Sequence, residues 1–446
     1  MRISLNRRDV VRSLFAAAVV ALSLAGCGGG GSGGDTGAIS TNSGGTTDTG
    51  GTPPAPPAPP APQSAFFPSW TAPMVDATNA LPGNTAGTPQ SFNNQSIRQP
   101  LRLSLGGDTL RVKISNLFGK SPVTFSGVHV AKSGATTNAI DPGSDHAVTF
   151  GGQASVTLAA GAEMTSDAVA LATSPLSMVA VTMYFASATT MPTVHPDGRQ
   201  TTFIVPGDQL SAAAVTAAGA DLRASYYGLT AVETSSTSAT KVVVAFGDSL
   251  TDGYASSFDA SKRYPNQLDD RLKAAGLVRT GVVNAGISGN RWLNEFAGPS
   301  GNSRFDRDVL GVSGATDVII LEGINDIGFG ADPALSQTVT AQQIIDSIAA
   351  AVAKAKARGL KVFLATLLPF RGAGYFTEDG ETKRQAVNAW IRANSAGADG
   401  VIDFEHVIGS AGDPSVFNPA FDSGDHLHPN DAGYAAMAAA IDISRL

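Results

Sequence analysis

The sequence predicts a two-part fold, in which an all-β, sandwich-like domain precedes an α/β domain with a doubly wound parallel sheet. Three observations predict it. Short β-rich runs recur over residues 64–237 without a long helical period, strands alternate with helices over residues 238–446, and a tract rich in Gly, Ser, Thr and Pro precedes both. With 446 residues, the chain is long enough for two folded units after a basic N-terminal segment.

Residues 1–26 have the features of an export signal. Arg2, Arg7, Arg8 and Arg12 precede the apolar run Leu14–Ala25. Its twelve residues would span about 18 Å as a helix, too little for the roughly 30 Å core of a bilayer, so a signal peptide is expected. The segment ends in Leu24-Ala25-Gly26-Cys27, which resembles the bacterial lipobox.

That resemblance implies that Cys27 carries a lipid and becomes the first residue of the mature chain. Cys27 is also the only cysteine in the sequence, which excludes an intramolecular disulfide. Gly28 does not resemble an inner-membrane retention signal, which favours the outer membrane. The expected location is therefore the bacterial cell envelope, with the protein held by lipid and facing the periplasm or the surface.

Residues 27–63 are interpreted as a disordered linker that follows this anchor. Gly, Ser and Thr dominate its first part, and PPAPPAPPAP at 53–62 is typical of a stiff polyproline II spacer. The formal net charge of the chain is −7, and the folded part is more acidic because residues 1–26 carry a net positive charge. Nucleic acid is thus not an expected partner, and contact with a membrane is expected only through the lipid on Cys27.

The β-rich runs of the front domain, residues 64–237, are punctuated by Gly, Pro, Asn and Asp. They are Pro100–Leu105, Asp108–Ser115, Val123–Ala131, Ala154–Leu158, Ser177–Phe185, Thr201–Val205 and Tyr226–Val232. This spacing predicts an antiparallel sandwich. Gly106-Gly107-Asp108 lies between two of the predicted strands and is interpreted as a tight hairpin.

In the second domain, residues 238–446, the continuous apolar run Lys241–Phe246 is typical of a parallel strand that is buried on both faces. Further strands are predicted at Val282–Val283, Asp317–Leu321, Lys361–Thr366 and Gly400–Phe404. Helices are predicted at Tyr264–Ala275, Ala341–Arg358, Thr382–Asn394 and Asp431–Asp442. Ligands of such sheets bind at the carboxyl ends of the strands, and that is where four short motifs fall.

The motifs are GDSL at 247–250, NAGISGN at 284–290, GIND at 323–326 and DHLHP at 425–429. Ser249 follows a buried strand through a glycine turn, so its hydroxyl is placed to act as a nucleophile if a base lies beside it. Asp248 is interpreted as a turn or helix-capping residue. The base is sought in the fourth motif, where an aspartate three residues before a histidine can fold back onto the imidazole.

Two pairs compete in that fourth motif. His426 competes with His428 as the base, and Asp422 competes with Asp425 as its acid; the spacing and the following proline favour Asp425 and His428. Acyl transfer also needs donors that stabilise an oxyanion. The candidates are the backbone N–H groups of Ser249 and Gly286 and the side-chain amide of Asn325.

Together the four motifs resemble the GDSL, or SGNH, hydrolase family over about residues 240–446. Ser249 matches the nucleophile, Gly286 the glycine of the second block, Asn325 the asparagine of G-x-N-D, and Asp425 with His428 the D-x-x-H pair. The resemblance implies a flavodoxin-like three-layer α/β/α fold and hydrolysis of esters or thioesters without metal or organic cofactor. More loosely, the two-domain arrangement resembles secreted bacterial arylesterases and acetylesterases.

Other residues give weaker signals. The remaining histidines show no metal-ligand spacing, so no metal site is predicted: His129, His146, His195 and His406. His195-Pro196-Asp197 could approach the site only if the two domains pack that way. Trp292 and Phe296 could line a pocket or belong to the core, and Asp403 could be an alternative acid or a helix cap.

The expected activity is therefore that of a serine esterase working through an acyl-enzyme, with O-acetyl groups of polysaccharide among its expected substrates. One alternative is a lipolytic acylhydrolase that acts on lysophospholipid, which a membrane anchor would suit. Another is a glycan-binding surface lipoprotein whose hydrolase domain is vestigial, which the intact motifs oppose.

Overall fold

The computed structural model describes residues 65–77, 89–216, 218–238, 240–335 and 337–446. The signal peptide, the lipid on Cys27 and the linker concern residues outside these ranges, so they stay predictions. Among the described residues, none of the helices combines the length and the hydropathy that a membrane span needs.

The front part of the fold is built from seventeen short strands, β1 to β17. In chain order they are Ala65–Thr71, Val75–Asp76, Gln90–Phe92, Gln95–Arg102, Leu110–Ser115, Val123–Phe125, Gly127–Lys132, His146–Ala147, Val156–Leu158, Glu163–Thr165, Met178–Phe185, Thr189–Met191, Thr193–His195, Thr202–Pro206, Asp221–Arg223, Tyr226–Tyr227 and Leu229–Ser236. A 3₁₀ turn lies at Pro142–Ser144.

Two antiparallel sheets dominate this part. One has the order β1-β17-β5-β10 and the other β15-β14-β4-β11-β7-β8. Apolar residues of both sheets form one buried cluster, which includes Val112 and Val232 from the first and Ile97 and Val181 from the second. The prediction of an all-β, sandwich-like architecture is confirmed.

The predicted hairpin at residues 106–108 is wrong. β4 and β5, which flank this segment, belong to different sheets, and Gly107 instead bridges to Thr173. The segment therefore carries the chain from one sheet to the other, a long-range pairing that the local turn signal does not contain.

The second part alternates strands and helices. Strands β18 to β22 are Lys241–Gly247, Thr280–Gly286, Ala315–Leu321, Lys361–Ala365 and Gly400–Ile402, followed by the small hairpin β23 and β24 at Gly409–Ser410 and Asp413–Phe417. Helices α1 to α8 are Ser249–Asp252, Tyr264–Ala274, Gly301–Phe305, Ile324–Gly330, Ala341–Ala357, Glu378–Arg392, Phe404–Ile408 and Asp431–Ala440. A π-helical turn at Asp306–Leu310 extends α3, and a 3₁₀ turn at Ile443–Arg445 ends the chain.

β18 to β22 form a parallel sheet with the order β19-β18-β20-β21-β22, so the first strand lies between the second and the third. This is the flavodoxin-like order, whose switch point lies beside the first strand. Helices α2 and α8 pack against each other, as do α5 and α6, and together they cover the sheet. The three-layer α/β/α prediction is confirmed.

The register of the sheet brings three motifs together. Gly247 at the end of β18 pairs with Gly286 of β19 on one side and with Leu321 of β20 on the other. Because the strands are parallel, the segments that follow these residues all leave the same edge of the sheet. The first, second and third motifs therefore meet there.

The front and rear parts share packing. Ile287, from the second motif, belongs to the apolar cluster of the front part, and Leu105, from the front part, belongs to that of the rear part. The described residues from 65 onward cluster as one compact unit. The domain boundary near residue 238 stays a prediction.

Candidate active site

Ser249 is the first residue of α1 and directly follows the turn that ends β18. The Asp248 carboxylate caps this helix by accepting a hydrogen bond from the Leu250 N–H at 2.9 Å, as expected for a turn and capping residue. Burial raises the pKa of Asp248 to about 7. Asp248 therefore stabilises the turn before α1, and the Ser249 side chain takes no part in this capping hydrogen bond.

Two glycines of the motifs are required by close packing around this turn. A Cβ atom on Gly247 would lie 2.2 Å from the Leu321 carbonyl oxygen, and one on Gly286 would lie 2.3 Å from the Asp252 backbone nitrogen. Any larger residue would push α1 away from the strand ends. The short helix that presents Ser249 is thus seated directly on its two neighbouring strands.

The fourth motif brings a histidine and an aspartate to this serine. Ser249 Oγ lies 2.8 Å from His428 Nε2, and His428 Nδ1 lies 2.7 Å from Asp425 Oδ2. The other oxygen of Asp425 accepts hydrogen bonds from the backbone N–H groups of Leu427 and His428, which folds the loop back on itself. The structure therefore brings Ser249, His428 and Asp425 into one hydrogen-bonded line.

Asp425 is held in its ionised form. Its partial burial alone would raise its pKa, but the hydrogen bonds and the charge of His428, together with the loop N–H groups, lower the pKa well below the ordinary value of an aspartate. A carboxylate in this position fixes the proton of His428 on Nδ1, because that nitrogen then donates. Nε2 is left free to accept the hydroxyl proton of Ser249.

The competing pair of the fourth motif lies apart from Ser249. His426 Nδ1 contacts Asp422 Oδ2 at 2.7 Å, and the His426 side chain is 52% exposed. Its backbone is left-handed, with φ of 62°. This turn directs His426 away from His428, so Asp422 and His426 form a separate surface pair.

Asn325 is a buried residue in the first turn of α4. Hydrogen bonds hold both the nitrogen and the oxygen of its side-chain amide. Its Nδ2 donates to the Asn290 carbonyl oxygen at 3.0 Å, and its Oδ1 accepts a hydrogen bond from the Tyr375 hydroxyl at 3.1 Å. Burial raises the pKa of Tyr375 well above its ordinary value, so the hydroxyl stays protonated and donates. The second hydrogen of Nδ2 remains available to a bound oxyanion.

The expectation that the Gly286 N–H serves as an oxyanion donor is corrected. That N–H donates to Asn284 Oδ1 at 2.8 Å and so is already engaged. The buried Gly289, three residues later, has φ of 79°, and its N–H donates to no described residue. The next residue, Asn290, binds the Asn325 amide, so Gly289 lies on the turn that adjoins Asn325.

Sequence reasoning also missed Arg304, whose hydrogen bonds connect the first and second motifs. Its buried guanidinium donates to the carbonyl oxygens of Gly247 at 2.8 Å and Ala285 at 2.7 Å and to Asn290 Oδ1 at 2.7 Å. It also pairs with Asp308 at 3.2 Å and Glu322 at 3.5 Å. Nothing in the sequence around Arg304 has a pattern that would reveal this role.

Replacing Arg304 with methionine is expected to lower the free energy of unfolding by about 3–5 kcal/mol, because buried carbonyls and carboxylates lose their partner. Arg304→Lys should not restore it, since an ammonium cannot reach the three acceptors at once. Urea denaturation measures both. The matched control is Arg358→Met at an exposed helix end, which should cost less than about 0.5 kcal/mol. Equal losses in the Arg304 and Arg358 variants would contradict the role of Arg304.

His195, from the front part, does approach the site. Its Nε2 lies 3.0 Å from Asp252 Oδ1 and its Nδ1 lies 3.0 Å from the Pro73 carbonyl oxygen. Burial alone would lower the pKa of His195, but the Asp252 charge and the two hydrogen bonds raise it. The other oxygen of Asp252 accepts hydrogen bonds from the Ser288 N–H and hydroxyl. Asp252 therefore links His195 of the front part to α1 and to the second motif.

The remaining candidates lie in structural positions. Trp292 is fully buried and donates its indole N–H to the Glu322 carbonyl oxygen, so it belongs to the core. Asp403 caps α7 and pairs with Arg392. Phe296 starts a row of aromatic rings that continues through Phe329 to Tyr375, the residue that orients Asn325. Within the described ranges, no cluster of three or more His, Cys, Asp or Glu side chains could hold a metal ion.

Comparison with known families finds a match for the rear part. Residues 245–436 match the GDSL-like lipase/acylhydrolase family. This range contains all four motifs and the three hydrogen-bonded residues Ser249, His428 and Asp425. A comparison with curated proteins found no match.

Several solved structures resemble part of this chain. A lipolytic protein of the G-D-S-L family from Desulfitobacterium hafniense is 26% identical, covers 45% of this chain and 96% of its own, and has a TM-score of 0.35. A GDSL-like lipase from Bacteroides thetaiotaomicron is 24% identical, with coverages of 46% and 87% and a TM-score of 0.36. A carbohydrate acetylesterase from Sinorhizobium meliloti is 17% identical, with coverages of 45% and 96% and a TM-score of 0.35.

Proposed function

We propose that this protein is a serine esterase that removes short acyl groups through an acyl-enzyme. Its expected substrates are O-acetyl groups of polysaccharide in particular. The reaction is assigned to residues 245–436, which form a hydrolase domain of the GDSL-like lipase/acylhydrolase family. The observation that carries the proposal is the line from Ser249 Oγ through His428 to Asp425, with contacts of 2.8 and 2.7 Å.

In the proposed reaction, Ser249 Oγ attacks the ester carbonyl carbon while His428 Nε2 takes the hydroxyl proton. The negative charge that develops on the carbonyl oxygen is met by the N–H groups of Ser249 and Gly289 and by the Asn325 amide. His428 then gives its proton to the leaving alcohol, and the acyl group stays on Ser249. A water molecule deprotonated by His428 releases the acid and restores the serine.

The preference for a short acyl group is supported by the packing around the nucleophile. Ser249 is 5% exposed, Asn325 3% and His428 8%. Tyr375 closes the space beside Asn325, because it packs on Gly328 and against the ring of Phe329. A small acyl group suits a reaction centre enclosed in this way.

The esterase is expected to be most efficient on acetate esters. Rates on p-nitrophenyl acetate, butyrate, octanoate and palmitate should give kcat/KM values that fall by at least about tenfold from acetate to octanoate, since longer chains must displace packed side chains. Acetylated xylan should release acetate in the same preparation. An efficiency that rises with chain length would favour a lipolytic acylhydrolase and overturn the proposal.

A further inference from the structure

One loop carries two exposed aromatic side chains, and one of them packs against the catalytic histidine. Tyr254 is 43% exposed and Phe258 48% exposed, and both lie on the loop of residues 254–263 that joins α1 to α2, called here the Tyr254 loop. Exposed aromatic rings that cluster next to a reaction centre commonly mark a surface for a ligand.

The position of Tyr254 tells which half of a substrate this surface would meet. Its ring centroid lies 4.5 Å from that of His428. The leaving alcohol must lie close to His428 Nε2, because that nitrogen gives it a proton. The Tyr254 loop therefore flanks the alcohol half of an ester, whereas Asn325 and Tyr375 lie at the oxyanion.

The front part of the fold builds one side of this loop. The Arg199 guanidinium lies 4.0 Å from the ring centroid of Phe258 and 5.9 Å from that of Tyr254, and it donates to the Ser256 carbonyl oxygen. The Asp259 carboxylate accepts hydrogen bonds from the N–H and hydroxyl of Thr201, both at 2.7 Å. Residues of the front part thus hold the aromatic rings in place.

The rear part fixes the other side. The Tyr434 hydroxyl donates to the Tyr254 carbonyl oxygen at 2.7 Å, and the N–H and hydroxyl of Ser257 donate to the Asp431 carboxylate at 2.8 and 2.6 Å. Ala255 and Asp259 have left-handed backbones, with φ of 68° and 57°. Such conformations persist in residues with side chains only where the surroundings hold them, so the loop is ordered before any substrate arrives.

We propose that Tyr254 and Phe258 form the alcohol-side subsite and receive the sugar ring of an O-acylated saccharide, and that Arg199 makes the front domain part of this subsite. The inference rests on the proposed esterase function. A pyranose has apolar C–H faces that pack on aromatic rings and hydroxyl groups that need polar partners. Asp425, whose side chain is 43% exposed and pairs with His428, offers such a partner at the same edge.

The test compares two acetate esters that differ only in the alcohol. Acetate release from acetylated xylo-oligosaccharides and from ethyl acetate is measured for the wild type, Tyr254→Ala and Phe258→Ala. Both side chains are exposed, so the variants should fold, and thermal melting checks this. The control is Leu222→Ala on the edge strand β15, an exposed apolar side chain (47%) remote in sequence from the loop.

Each aromatic variant should lose about tenfold in kcat/KM on the oligosaccharides, mainly through KM, and clearly less on ethyl acetate, whose alcohol offers no sugar ring to the two aromatic side chains. Leu222→Ala should match the wild type on both. An equal loss on both esters would mean that the loop acts only through His428 and would overturn the subsite, as would no loss on either. A wild type that hydrolyses ethyl acetate but not the oligosaccharides would instead refute the proposed saccharide substrate, and the subsite with it.

Discussion

Ser249→Ala is expected to remove ester hydrolysis almost completely, with a fall in kcat of about 10³- to 10⁶-fold, because no other hydroxyl takes the place of the attacking oxygen. Within the described ranges, the Ser249 hydroxyl forms a hydrogen bond only with His428, so the loss of this hydroxyl should leave the fold intact. Purified protein assayed on p-nitrophenyl acetate, with circular dichroism as the check on folding, measures the effect. Full activity in a folded Ser249→Ala protein would refute the mechanism.

His428→Ala should be as inactive as Ser249→Ala, and the double variant should be no worse than either one. Residues that act as one unit give losses that do not add, because each loss alone already disables the unit. His426→Ala is the matched control, since this exposed histidine pairs with Asp422 and not with the serine. Loss of turnover in His426→Ala with activity retained in His428→Ala would reverse the assignment of the base.

The pH dependence follows from the same contacts. The lowered pKa of Asp425 keeps it ionised through the mildly acidic range, so acidification within this range should leave the acceptor of the His428 Nδ1 proton in place. Because the pKa of Asp425 is lower in the folded than in the unfolded chain, its contribution to stability is present above about pH 4 and is lost as the pH falls further.

Asn325→Ala is expected to lower kcat on p-nitrophenyl acetate by about 10²- to 10³-fold, with a smaller change in KM. The amide acts mainly on charge that develops in the transition state, so its removal costs little in substrate binding. Steady-state kinetics over a range of substrate concentrations separates the two constants. A rise in KM with unchanged kcat would place Asn325 in ground-state binding instead.

Tyr375→Phe extends this prediction to the group that orients the amide. Removing the hydroxyl leaves Asn325 Oδ1 without its 3.1 Å donor, so the amide can turn over and present oxygen to the oxyanion. We expect Tyr375→Phe to lower kcat by about tenfold in the otherwise wild-type protein. In a protein that already carries Asn325→Ala, the same substitution should have no further effect. Additive losses in the double variant would show that Tyr375 does not act through Asn325.

Much of the fold could be predicted because its signals are local. The apolar run that became β18, the helical period that became α2 and α5, and the alternation of the two element types each lie within a short window of sequence. The same holds for Asp425 and His428, whose spacing of three lets one loop carry both partners. The carboxyl ends of parallel strands lie at the same edge of a sheet. Because each of the first three motifs follows such a strand, their proximity could be predicted.

Local signals failed where several groups could pair with one partner. The glycine-rich second motif contains several backbone N–H groups. Only the tertiary structure shows that the Gly286 N–H donates to the Asn284 side chain, whereas the Gly289 N–H donates to no described residue. The segment at 106–108 looked like a hairpin, but the partner strands of β4 and β5 come from elsewhere in the chain. Sequence spacing does not record which of several acceptors lies within reach of a donor.

The sequence by itself thus determined the class of fold and singled out the proposed nucleophile, base and acid, because strand periodicity and short spacings are properties of neighbouring residues. Only the tertiary structure decided how the front part joins the site. His195 reaches Asp252 and Arg199 reaches Phe258 across 57 and 59 positions of the chain, and Arg304 binds oxygen atoms at the ends of β18 and β19 and in the loop that follows β19. Such contacts depend on how two packed layers are placed against each other, and that placement is set by the whole core and not by any one segment.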